Sequence, residues 1–82
     1  MVKDLIKNKD YDYIEFRVSL PEKMGGGHAW IGSCKSENGI LIPLDENDCF
    51  NDDVDLLGYE EWDNPVQGIK NGLTIYIKGQ WI

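Results

Sequence analysis

His28, Cys34, Cys49 and the carboxylates between Asp45 and Asp63 are the residues of this 82-residue chain that could do chemistry. A Cys-His nucleophilic pair needs the two side chains within hydrogen-bond reach. On a regular strand His28 and Cys34 share a face but lie about 20 Å apart, at roughly 3.3 Å per residue. His28 and Cys49 have no spacing that joins them. Glu60 and Glu61 are adjacent and face opposite sides of a strand, so they form no acid/base pair. One His and two separated Cys make no zinc site. A calcium loop begun at Asp45 places Asn47 and Asn51 correctly, but puts Phe50 where the turn needs Gly and Leu56 where it needs the bidentate Glu. A looser carboxylate site around Asp52, Asp53 and Asp55 lacks specificity, and a solvated loop explains those residues as well. Gly25-Gly26-Gly27 lacks the Gly-Lys-Ser/Thr ending of a phosphate loop and follows Pro21 in a hairpin-like connection. The chemistry therefore points away from an enzyme, and no cofactor or metal is expected.

Charge remains as the informative feature. The chain carries 15 acids and 8 bases, a net of −7. Nine of the acids (Asp45, Glu46, Asp48, Asp52, Asp53, Asp55, Glu60, Glu61 and Asp63) fall in nineteen residues that hold no Lys or Arg. The other residues have six acids against all eight bases, a surplus of two positive charges. The molecule is thus polarised. Direct nucleic-acid binding requires a basic patch, and none is present. An acidic patch steers cationic partners instead. Within the block, Tyr59 and Trp62 add aromatic surface that can meet Arg or Lys by cation–π contact. Trp62 is equally well explained as an inward-packed residue with solvated acids around it. The binding surface read from the sequence is Asp52, Asp53, Asp55, Tyr59, Glu60, Glu61 and Trp62.

The elements that must position these residues follow from periodicity. Val2, Leu5 and Ile6 have the spacing of one helical face and predict about two turns of helix, which persist only by packing on a sheet. Asp10-Tyr11-Asp12 breaks it. Ile14, Phe16, Val18 and Leu20 alternate with polar partners, the pattern of a half-buried strand over Tyr13–Leu20. His28–Lys35 predicts a second strand, weakened by Gly32 and Ser33. Ser36-Glu37-Asn38-Gly39 is a hairpin turn leading into Ile40–Leu44. Residues 45–55 read as a loop, with a turn of helix over Asp52–Leu56. Leu57–Trp62 predicts a fourth strand, Asp63-Asn64-Pro65 and Lys70-Asn71-Gly72 predict turns, and Leu73–Ile77 predicts the last strand. Trp30, Trp62 and Trp81 read as core or rim residues. The expected fold is one α+β domain: a short N-terminal helix plus a four- to five-stranded, mainly antiparallel sheet.

Length and composition agree. One domain of this size buries only about 60–65% of its unfolded surface, so the core is thin and leaves little room for a deep cleft. With 41% hydrophobic and 11% aromatic residues, the chain is not of disordered composition. Its apolar runs are far shorter than the roughly 20 residues of a membrane span, and its first ten residues are no secretory signal. Two isolated cysteines suit reduced thiols and a cytoplasmic location. A Cys34–Cys49 bridge would require a removed secretion signal.

Val2-Lys3-Asp4-Leu5-Ile6 running into Tyr11-Asp12-Tyr13-Ile14-Glu15 resembles small acidic proteins of phages and mobile elements. The Asp-Leu-Ile and Lys-Asn-Lys-Asp-Tyr pieces within residues 4–11 are similar to the opening of some acidic anti-CRISPR inhibitors. This covers about a tenth of the chain and transfers no family residue. The resemblance implies an inhibitor, in a host cytoplasm, whose carboxylates stand in for phosphates in a basic nucleic-acid-binding groove. The expected function is a non-enzymatic protein-binding module with a basic protein partner. Two other classes stay open: a nucleotide-, small-ligand- or metal-binding protein using the glycine loop, His28 and nearby aromatics, and a structural or accessory subunit.

Overall fold

The computed structural model describes residues 1–45 and 56–78. A single helical turn, α1 (Val2–Leu5), precedes β1 (Tyr13–Ser19), β2 (His28–Glu37), β3 (Ile40–Pro43), β4 (Leu56–Asn64) and β5 (Ile69–Ile77). Short 3₁₀ turns at Glu22–Met24 and Pro65–Gln67 complete the order. The five strands form one sheet in the order β3-β2-β1-β5-β4. β1 pairs antiparallel with β2 and parallel with β5, while β2–β3 and β4–β5 are antiparallel. The sheet is therefore mixed, and the expected mainly antiparallel arrangement is corrected at its centre. Adjacent hairpins are local, but docking a three-strand meander against a two-strand hairpin is decided by burial of both inner strands. β1 and β5 carry Ile14, Phe16, Leu73 and Ile75, all nearly or wholly buried, and side-by-side placement covers them together.

Alternation divides the sheet into two faces. On one face Ile14, Phe16, Cys34, Leu73 and Ile75 pack with Val2, Ile6 and Tyr11 into the core. Leu5, Leu41, Leu56 and Ile77 border it. The helix is one turn rather than two, because Val2 and Ile6 suffice to cover the centre of this small core and Ile6 already acts as its C-cap. The other face carries Tyr13, Glu15, Arg17, Trp30, His28, Thr74, Tyr76, Glu60 and Trp62, and no described helix lies over it.

The segment expected only to break the helix ties the two halves of the sheet. Tyr11 N–H donates to Ser36 Oγ at 2.9 Å, and Ser36 N–H returns a bond to the Tyr11 carbonyl at 3.0 Å. Asp10 Oδ1 accepts from Asn38 N–H at 3.0 Å, holding the β2–β3 turn, where Asn38 and Gly39 both take the left-handed conformation at φ 54° and 77°. That pair of positive φ values is what a two-residue hairpin turn demands. On the opposite side, Asp12 Oδ2 accepts from the N–H groups of Lys70 and Asn71, each at 3.1 Å.

These last bonds explain a second correction. Lys70-Asn71-Gly72, expected as a turn, lies inside β5. Asp12 takes up two amides of that stretch and its own N–H donates to the Asn71 carbonyl at 2.9 Å. The reversal falls earlier, at Pro65–Gly68, where Asn64 Oδ1 accepts from Gln67 N–H and Gly68 closes the turn at φ 73°. Asp63 and Asn64 accordingly belong to β4, and Leu56 opens that strand rather than ending a helical turn. Residues 46–55, which carry the rest of that expectation, lie outside the described residues, as does Trp81.

Candidate functional site

β4 is an edge strand whose described pairing is to β5 alone. Its register sets Tyr59 opposite Ile75, Glu60 opposite Thr74, Glu61 opposite Leu73 and Trp62 opposite Gly72. Tyr59 and Glu61 therefore share the helix-side face, while Glu60 and Trp62 share the open face. The structure brings these four expected binding residues onto one strand and divides them between its two sides. Asp52, Asp53 and Asp55 lie outside the described residues.

The four residues differ in how firmly they are held. Glu61 is engaged: Tyr11 Oη donates a short hydrogen bond to Oε1, and Lys9 Nζ lies 3.8 Å from Oε2. Lys9 also sits 5.1 Å from the centre of the Tyr11 ring. Burial, followed by the hydrogen bond to Glu61 and that carboxylate's charge, pushes the Tyr11 phenol well above its ordinary value. Glu61 thus acts first as a structural acceptor. Glu60 is exposed and makes no hydrogen bond or ion pair among the described residues. Tyr59 is half exposed, at 50%.

Trp62 is anchored from three directions. Its indole lies over Gly72, where any Cβ would come within 2.6–2.8 Å of the ring. Tyr13 meets it edge-on at 5.9 Å between centroids. Nε1–H donates to Thr74 Oγ1 at 2.9 Å, and the Thr74 hydroxyl donates to Glu15 Oε1 at 2.7 Å. Arg17 Nε also donates to Glu15 Oε1, at 3.2 Å. This chain of bonds crosses β4, β5 and β1 and satisfies the polar groups of a largely apolar contact. Trp62 is a partly buried framework residue of the open face.

Farther along the same face, His28, Tyr76, Leu57, Gly58 and Glu60 line a shallow pocket of about 370 Å³. The His28 and Tyr76 rings are 4.6 Å apart and tilted by 57°. Two bulges shape this end of the sheet. One lies in β2, where Phe16 pairs with Gly32 but Arg17 pairs with Trp30, leaving Ile31 as the extra residue. The other lies in β4, where Leu56 pairs with Ile77 but Gly58 pairs with Tyr76, leaving Leu57 as the extra residue. Each bulge shifts the side-chain alternation by one. Consequently His28 and Cys34, expected on one face, are on opposite faces: Cys34 is fully buried opposite Ile14, and His28 is exposed opposite Ser19. Trp30 is also on the open face and is 52% exposed, so it is not a core residue.

Leu57, Gly58 and Tyr76 did not stand out in the sequence. The alternation of Leu73-Thr74-Ile75-Tyr76-Ile77 already put Tyr76 on the polar side, which was the available signal. Among the described residues no group of three or more His, Cys, Asp and Glu side chains is placed to hold a metal ion, and no helix is long and apolar enough to cross a membrane. No family model, curated protein or solved structure matches this chain.

Proposed function

We propose that this protein is a non-enzymatic binding module whose acidic edge docks on a basic, nucleic-acid-binding surface of a target protein. The observation that carries this reading is the segregation of charge: nine acids without a base between Asp45 and Asp63, against a slightly basic remainder. Exposed Glu60, Glu61 and Asp63 on edge strand β4 add support. An edge strand inserted into a groove offers both its faces, so side chains pointing to opposite sides can serve one partner. Acids on such an edge also discourage pairing with a second copy of the same strand. Occlusion of the target's groove by carboxylates would make the module an inhibitor of the phage or mobile-element kind, acting in the host cytoplasm. Asp52, Asp53, Asp55 and Glu60 supply charge in this reading, with Tyr59 as an exposed aromatic contact.

Replacing Asp52, Asp53 and Asp55 together with Lys should abolish capture of the partner from host lysate. Capture that survives unaltered at low salt overturns the reading. A rise in melting temperature with a nucleotide or Ca²⁺, and no captured protein, transfers it to a small-ligand function.

A further inference from the structure

We infer that the open-face pocket formed by His28, Leu57, Gly58, Glu60 and Tyr76 receives an arginine side chain of the basic partner; this rests on the acidic-module reading above. The pocket's lining contains one acidic side chain, Glu60, which is exposed and unengaged among the described residues. Beside it stand the two closely spaced rings of Tyr76 and His28. A carboxylate next to aromatic surface is the pairing that recognises a guanidinium, because the planar cation can stack on a ring while its N–H fork bonds the acid. Leu57, pushed out by its bulge and 60% exposed, offers apolar surface for the three methylenes of the guest. Gly58 presents no side chain, and a Cβ built there meets nothing within 4 Å.

Arg17, paired across the sheet with Tyr76, is not in the lining and donates to Glu15, which offsets its charge; Lys78, two residues beyond Tyr76 and exposed, is likewise outside the lining. Glu15 is in turn committed to Thr74 as well. The open face therefore leaves Glu60 as the available acid at the pocket. An aliphatic or anionic guest would leave that carboxylate unpaired or repelled, whereas a cationic guest is matched in charge.

The test is a titration of the ¹⁵N-labelled protein with N-acetyl-arginine methylamide, followed by amide and aromatic resonances, with the uncharged citrulline analogue as control. Saturable shifts are expected at His28, Gly58, Glu60 and Tyr76, with citrulline binding weaker by about tenfold. Glu60→Gln should weaken arginine by a similar factor. Gly58→Val fills the pocket without changing net charge or entering an occupied space, and should abolish the shifts. Arginine shifts that are dispersed over the surface, or that survive both substitutions, overturn the inference. An arginine-rich peptide separates the two levels. If it binds at low salt, is lost on reversal of Asp52, Asp53 and Asp55, and ignores Gly58→Val, the pocket is overturned and the acidic-module reading stands. If it does not bind at all, both fall.

Discussion

The two faces of this sheet are built from the same strands and solve different problems. On the helix side, Ile14, Phe16, Leu73 and Ile75 meet Val2 and Ile6 in mainly apolar contact, with the polar bonds of Tyr11 to Ser36 and Glu61 at its border. On the open side, aromatic rings are held by bonds among polar neighbours: Trp62 to Thr74, Thr74 to Glu15, Arg17 to Glu15. The first face gains stability in proportion to area removed from water. The second gains less of it, and leaves Trp30, Leu57 and Glu60 available to solvent. The difference teaches that most of the buried apolar area lies on the face covered by α1, whereas the uncovered face and the β4 edge keep exposed the side chains on which the proposed binding rests.

Substitutions can break or sharpen that contrast. The largest effect is expected from Phe16→Ala, which empties the centre of the covered face and should cost about 3–5 kcal/mol, enough to abolish cooperative thermal unfolding in a domain this small. Next comes Gly72→Ala. A methyl there overlaps the Trp62 ring, so about 1–3 kcal/mol of overpacking is expected, read as a lower melting temperature with a shifted tryptophan emission. Combining it with Trp62→Leu should return part of the loss. If Gly72→Ala alone is neutral, the open-face aromatic contact is not the rigid element described.

Tyr11→Phe removes the hydroxyl bonded to Glu61 and should cost about 1 kcal/mol near neutral pH, because Glu61 can turn to water. Its sharper signature is in alkali. The phenol is held above its ordinary value of 10.0, so the folded state keeps a proton that the unfolded state releases. That contribution is complete below about pH 10 and is lost as pH rises beyond it, with a slope of at most about 1.4 kcal/mol per pH unit. The Phe variant should lack this component in denaturant titrations across the same range. The smallest stability effect belongs to Glu60→Gln, within about 0.5 kcal/mol by melting temperature. Its consequence should appear in arginine binding instead. A large stability loss there would erase the division between the faces.

Much of the fold was legible along the chain. Alternation marks β1 and β5, and Asn38-Gly39 marks its hairpin, since both signals depend on neighbouring residues only. Lys70-Asn71-Gly72 misled because its composition favours a turn, whereas Asp12, far away in sequence, captures its amides. The face of His28 was misjudged for a related reason: the extra residue Ile31 reverses the parity on which a regular strand relies. Of the candidate site, the residues of β4 were visible through their charge. The pocket partners Gly58 and Tyr76 were not, because it takes β5 pairing to place them together.

The amino-acid sequence by itself determined the segregation of charge, the apolar stripes of β1 and β5 and the hairpin at Asn38-Gly39. Each is a property of residue type at short spacing. Only the tertiary structure decided that β1 and β5 run parallel at the centre, that Asp10, Tyr11 and Asp12 bind one turn and two strands together, and that Glu60 rather than Glu61 faces the pocket. Those outcomes depend on pairing between distant segments and on bulges that shift the register, and no local pattern encodes either.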